Sequence, residues 1–322
     1  MNGIARLIGT AGLAAATLAS ATANSQAYPA KPVRVVVAAA AGGGIDFVMR
    51  LISGKLSEGL GQPVIVENRG GANGVIAAEF VSKSPPDGYT LLFIAPGAMV
   101  AMVSKPPYDP VKDFTPISIA VVPASPLLVA ENVPASTFGE LIAYARKNPG
   151  KLSFGSTSIG SVPHLTIEAL KRSAKLDILH IPYKGVAPAI TDLTSGQISM
   201  VIAPLGIARP LLQSGKIKAL AVSNAERCPC LPGVPSIFEV LPRTEIPDAW
   251  FGIFGPAPMS PPIVSRLYTD IAAALRSPEI KGKLEGNGLL VVANPPEQFA
   301  AQVKSETEIF AKASKEYGLK AE

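Results

Sequence analysis

Histidine and cysteine are nearly absent from this chain: two of each in 322 residues. His164 and His180 have no Cys, Asp or Glu companions at ligand spacing, so the sequence argues against a metal site. Cys228 and Cys230 flank a single proline. They read either as a redox pair or as two incidental loop cysteines, the second being preferred because a one-residue spacer closes a tight ring. Charge is also sparse, at 16% Asp, Glu, Lys and Arg. No run of lysine and arginine is present, which argues against nucleic acid as a partner. After the N-terminus no segment is apolar enough, for long enough, to span a bilayer. The dinucleotide fingerprint is missing its third glycine, where Phe47 stands. The nucleophile-elbow pattern fails too, because Ser156 occupies the glycine position before Ser158. No cofactor is expected.

What is plentiful is apolar residues (48%), proline (31) and glycine (29). This is a globular composition with many short connections, long enough for two domains. The formal charge of +5 gives a mild preference for anions. Leu7–Ala23 is an apolar stretch of small residues after Arg6, with small-x-small patterns at residues 21–27. It reads as a secretory signal peptide over residues 1–27, cut near 23–27, the alternative being a membrane anchor.

The remaining chain alternates strand-like and helix-like segments, which predicts α/β layering. VRVVVAAAAGGGID (Val33–Asp46) runs a strand through three glycines into a helix, and KLSFGSTSIGSVPH (Lys151–His164) does something similar later. Such turns leave N–H groups without partners at a helix N-terminus, which suits an anion. The first turn therefore reads as a carboxylate cradle around Ala41–Gly44, or as a plain tight turn. In the second, the hydroxyls of Ser156, Thr157 and Ser158 surround exposed amides. Asp46 either caps its helix or ties down the glycine loop. Asp192 is expected on a solvated helix face. His164 points to ligand or satisfies local backbone, and His180 has a structural role. Two inter-lobe crossings are expected, near Val121–Ala124 and Trp250–Ile253, forming a hinge. Trp250 either reports lobe closure or packs under the C-terminal helices.

Several strings, in order, cover nearly the whole chain after the leader: ENRGGANGVIAA (67–78), PDGYTLL (86–92), YDPVKDFTPI (108–117), NPGKLSFGS (148–156), HIPYKG (180–185), SGKIKALAV (214–222), VPS (234–236) and WFGIFGPA (250–257). Together they closely resemble the extracytoplasmic solute receptors of tripartite tricarboxylate transporters, the Bug family. The resemblance implies a two-lobe periplasmic binding protein, type II-like, with a ligand cleft between two α/β domains: residues 28–124 with 248–322, and 125–247. It implies a periplasmic, monomeric, non-enzymatic receptor for a small carboxylate, whether tricarboxylate, dicarboxylate, acidic amino acid, nicotinate or aromatic acid. Its other partners would be integral-membrane permease subunits. Carried over residue by residue, the site would take in the loop with Ala39, Ala40, Ala41, Gly42, Gly43 and Asp46, and the turn with Gly97 and Ala98. The second lobe would add Ser156, Thr157, Ser158, Gly160 and His164, then Tyr183 and Lys184, and the strand end at Ala203 and Pro204. Two features depart from the family. Ala38–Ala41 replace a loop that commonly has Pro and Phe, and Ala203-Pro204 stand where an aspartate is common. Without that acid an ammonium group lacks a partner, so the expected ligand has no amine. The rival readings are a secreted acid–base enzyme using His164 and Tyr183, and a sensory receptor of the same fold.

Overall fold

A computed structural model describes residues 28–99, 106–157, 159–240 and 249–316. The leader segment and Ser158 lie outside them. The chain opens with β1 (Val33–Val37), α1 (Gly44–Leu60), β2 (Val64–Asn68), α2 (Val75–Ser82), β3 (Thr90–Ile94), α3 (Pro96–Met99) and β4 (Phe114–Pro123). It continues with β5 (Pro126–Ala130), α4 (Phe138–Lys147), β6 (Leu152–Ser156), α5 (Val162–Ala174), β7 (Ile178–Pro182), α6 (Val186–Thr194), β8 (Met200–Ile202), α7 (Leu205–Gln213), β9 (Ile217–Val222) and α8 (Ile237–Val240). It closes with β10 (Phe251–Pro256), α9 (Pro261–Arg276), α10 (Pro278–Gly286), β11 (Leu289–Val291) and α11 (Pro296–Glu316).

The strands form two sheets, ordered β11-β4-β10-β3-β1-β2 and β7-β6-β8-β5-β9. Both follow one plan. Three strands joined by helices lie parallel, as crossover connections require, and a strand from the connecting chain then pairs antiparallel: β10 beside β3, and β5 beside β8. Each sheet is the centre of one lobe.

Local sequence accounts for the elements. Along α1, Ile45, Val48, Met49, Ile52, Leu56 and Leu60 recur at helical spacing and are buried. Gly61, left-handed at φ 67°, ends the helix by donating its N–H to the Ser57 carbonyl. Thr137 caps α4 by accepting the Glu140 N–H, while Glu140 accepts the Ser136 N–H. In β1, Val33, Val35 and Val37 join the core under α1 and α9, whereas Val36 joins the opposite face with Ala77, Trp250 and Phe299. A sheet covered by helices on both faces needs such continuous apolar strands. The second lobe has its own core around Leu127, Phe138, Phe154 and Leu170.

Several elements had no reading in the sequence, the short α8 among them. The helix α7 is masked by Gly206 and Pro210 inside it. The strand β11 is only three residues long, and β4 extends well upstream of the Val121–Ala124 crossing through a stretch containing Pro116. Trp250 takes the packed reading. It is 1% exposed, lies edge-on to Phe299, and donates its indole N–H to Glu306 of α11 at 2.7 Å. The cysteines are not incidental, since Cys228 and Cys230 are joined in a disulfide. Cys228 is buried with Ala124, Leu205 and Val222 where the two lobes meet, and that packing brings the two thiols together.

Candidate functional site between the lobes

The lobes join through Ala124 and Ser125, between β4 and β5. Asn224 braces this link: its Oδ1 accepts the Ser125 N–H (2.9 Å) and its Nδ2 donates to the Pro123 carbonyl (3.0 Å). The Ala124 N–H donates to the Gly288 carbonyl and the Leu205 N–H donates to the Ala124 carbonyl, so both lobes hold Ala124. The second crossing is expected near Trp250–Ile253; Phe251–Ile253 belong to β10 in the first lobe's sheet, and residues 241–248 before it lie outside the described residues.

Beside this link lies a cavity of about 840 Å³, walled by both lobes. The first lobe contributes Ala38, Ala39, Ala40, Gly42, Gly43 and Gly44, followed by Ile45 and Phe47 at the start of α1. It adds Gly70, Gly71 and Gly74 from the loop before α2, Ile94, Ala95 and Gly97 after β3, and Phe251, Asn287 and Leu289. Thr157, Val186, Pro204, Gly206 and Ile207 come from the second lobe, and Pro123 from the link.

Two properties of this wall decide its chemistry. Among the described lining residues only Thr157 and Asn287 carry polar side chains, and none is charged. Yet the first residues of α1 and α6, the residues capping α2 and α7, and Gly206 in the first turn of α7 all stand on the wall. First-turn N–H groups have no partner inside their helix, and each helix adds a partial positive charge at that end. The cavity therefore favours an anion through backbone alone.

The glycine loop is held from behind. Asp46, 3% exposed, accepts the Gly42 N–H (2.8 Å), both of its oxygens take the Arg50 Nε–H (2.9 and 3.0 Å), and Asn68 donates to it (2.8 Å). Burial works to raise its pKa. The bonds from Gly42, Arg50 and Asn68 outweigh burial and hold the carboxyl below its ordinary range. Asp46 thus ties down the loop, and Arg50 neutralises it, so it does not repel an anion at the cavity. Gly42 sits at φ +84°, a conformation that side chains disfavour. Gly70 passes so close that a Cβ there would stand 3.2 Å from the Ala40 nitrogen.

Of the residues singled out in the sequence, the cavity brings together Ala39, Ala40, Gly42, Gly43, Gly97, Thr157 and Pro204. It does not include Ala41, Asp46, Ser156, Gly160, His164, Tyr183, Lys184 or Ala203. The Ala98 side chain and Ser158 lie outside the described residues; Ala98 belongs to α3. Ala203 is buried in the second lobe's core. Lys184 is exposed. His164, 4% exposed, uses Nδ1 to accept the Gly160 N–H (3.0 Å) and stacks on His180 at 4.1 Å. Burial, then His180 and Lys171, push its pKa down to about 4. His180 Nε2 lies 2.8 Å from Ser156 Oγ. Tyr183 donates its hydroxyl to Asp192 (2.7 Å), so Asp192 is half-buried and engaged rather than on a solvated face. Burial, with the Asp192 carboxylate, pushes the Tyr183 pKa up to about 12.

Sequence reasoning missed the second glycine loop, the start of α7, and Phe251. A signal for the loop was available: NRGGANG before α2 has the same glycine-then-helix character as the other two turns.

Two α/β lobes, linked beside a cleft walled by both, give the fold of a periplasmic binding protein. Residues 48–318 match the family model of the tripartite tricarboxylate transporter family receptor, and the chain belongs to that family. It is 37% identical over 317 residues (97% of this chain, 94% of the relative) to the UPF0065 protein in the tcbD-tcbE intergenic region of Pseudomonas sp. strain P51. To protein BugT of Bordetella pertussis it is 31% identical over 322 residues, 98% of each chain. Among solved structures it resembles R. palustris Rpa4515 with adipate (TM-score 0.79, 35% identity, 91% of this chain and 99% of that one). It also resembles the periplasmic binding protein BugD (0.76, 32%, 92% and 100%). A third likeness is MatC from Rhodopseudomonas palustris with bound malate (0.74, 32%, 89% and 99%).

Proposed function

We propose that this protein works in the periplasm, after removal of its leader. There it captures a small organic carboxylate between its lobes and hands it to a membrane permease of the tripartite type. The observation that carries the reading is the cavity wall: helix N-termini from both lobes and no charged side chain among the described residues. Adipate and malate in the two similar structures support the ligand class, and the family supports the permease partner. The lobes divide as residues 28–124 with 248–322, and 125–247.

The energetics are sufficient. A micromolar receptor needs about 8 kcal/mol. Each charge-assisted hydrogen bond nets roughly 1.5–3 kcal/mol, and a helix terminus adds about 0.3–2 kcal/mol. Several such bonds to one carboxylate, plus apolar burial, meet the requirement after closure has taken its cost. An acid–base enzyme finds no support in His164 and Tyr183, neither of which lines the cavity and of which Nδ1 and the hydroxyl are engaged by Gly160 and Asp192.

The test is calorimetry of the purified protein against a panel of carboxylic acids, with the bound acid recovered and weighed by mass spectrometry. The expected result is at least one acid binding at micromolar concentration and returning unchanged. Turnover of the acid, or no binding across the panel, contradicts the proposal.

A further inference from the structure

We infer that Phe47 and Ile207 form an apolar vise that selects acids with an unsubstituted hydrocarbon body, aromatic or aliphatic, over hydroxylated or tricarboxylic acids. The inference rests on the receptor reading above and narrows its ligand.

Both residues are exposed, at 40% and 44%, and of the seven large apolar side chains exposed among the described residues these two alone line the cavity. Both stand on the cavity wall, one from each lobe: Phe47 in the first turn of α1, Ile207 in the first turn of α7. Phe47 follows the Gly44 and Ile45 N–H groups at the start of α1, and Ile207 follows the Gly206 N–H; the Leu205 and Ile207 N–H groups already donate to the Ala124 and Pro204 carbonyls. An acid head at either helix end places its carbon body against these two side chains. Ile45, Ile94, Val186 and Phe251 continue the apolar surface around them.

The same wall penalises polar substituents. A hydroxyl or a third carboxylate on the ligand needs its own partner once water is excluded. Thr157 and Asn287 are the only described polar side chains on the wall, and the Asn287 amide already donates to the Lys283 carbonyl at 2.8 Å. No described cation faces the cavity to offset further negative charge.

The experiment is calorimetry of the full receptor with four probes: adipate, benzoate, malate and citrate. The wild type is expected to bind adipate or benzoate at least ten-fold more tightly than malate and citrate. Phe47→Asn and Ile207→Asn should each weaken the apolar acids by about ten- to a hundred-fold while changing malate by less than three-fold. Phe47→Leu, which keeps an apolar face, should keep the preference. Both positions are exposed, so thermal melts of the variants should match the wild type. Malate or citrate binding as tightly as the apolar acids overturns the vise and leaves the receptor reading standing. Variants that weaken all four acids alike also overturn it. If none of the four binds, the receptor reading fails and the vise with it.

Discussion

Asp46 shows how a residue outside the cavity wall governs the cavity. Its carboxylate joins the Gly42 N–H to Arg50 and Asn68, and through them to β2. The loop needs that support, because glycines lose more entropy on ordering than other residues. Asp46→Ala would leave the Gly42 N–H without its acceptor and the Asn68 amide with only the Ala39 carbonyl, at 3.3 Å. We predict a loss of roughly 1.5–3 kcal/mol in urea unfolding, with weaker acid binding as well. A change below about 0.5 kcal/mol, the range of neutral surface substitutions, would show that the loop holds itself. Much of this was legible in the sequence. The three glycines ahead of a helix announced the turn, and Asp46 had two readings of which the structure selects loop support. The partners Arg50 and Asn68 were not legible, because a helix and a neighbouring strand bring them together only in three dimensions.

At the scale of elements, β6, α5 and β7 meet in a stacked cluster. Phe154 of β6 faces His180 of β7 at 4.7 Å, and His180 faces His164 of α5 at 4.1 Å. Burial lowers the pKa of both histidines; for His180 the Glu168 charge opposes the shift and Lys171 adds to it. Protonating His164 also removes the acceptor for the Gly160 N–H. Its folded-state pKa, about 4, lies below the ordinary 6.5. The unfolded chain thus binds more protons in that interval, and stability falls as pH falls. The contribution is whole above about pH 6.5 and is lost towards pH 4. Thermal melts across that range should show a shallower pH slope for His164→Gln than for the wild type. Equal slopes would mean that His164 titrates normally. Apolar spacing with flanking Ser, Thr, Pro or Gly accounts for α1, α4, α5 and α10. The same cues fail for α7, where a proline interrupts the pattern, and for β11, too short to have one.

For the whole molecule, the design is two repeats of one sheet plan joined at a braced link. Asn224 spans Pro123 and Ser125, and the Cys228–Cys230 loop packs on the same spot. Rotation of the lobes about this link would change the distance between α1 and α7 while leaving each core intact. The alternation of strands and helices made two α/β lobes legible. The apolar character of the cleft was not, because residues as far apart as Phe47, Ile207 and Phe251 become one surface only when the lobes face each other. Among the described residues no helix is long and apolar enough to cross a membrane.

The account turns on where an acid sits. A crystal structure of the receptor grown with its tightest-binding acid measures this directly. A ligand carboxylate within hydrogen-bonding distance of the Gly43–Ile45 N–H groups, with the second lobe closed over its body, is the predicted result. An acid bound elsewhere, or held by charged side chains with the glycine turn left to water, would contradict it.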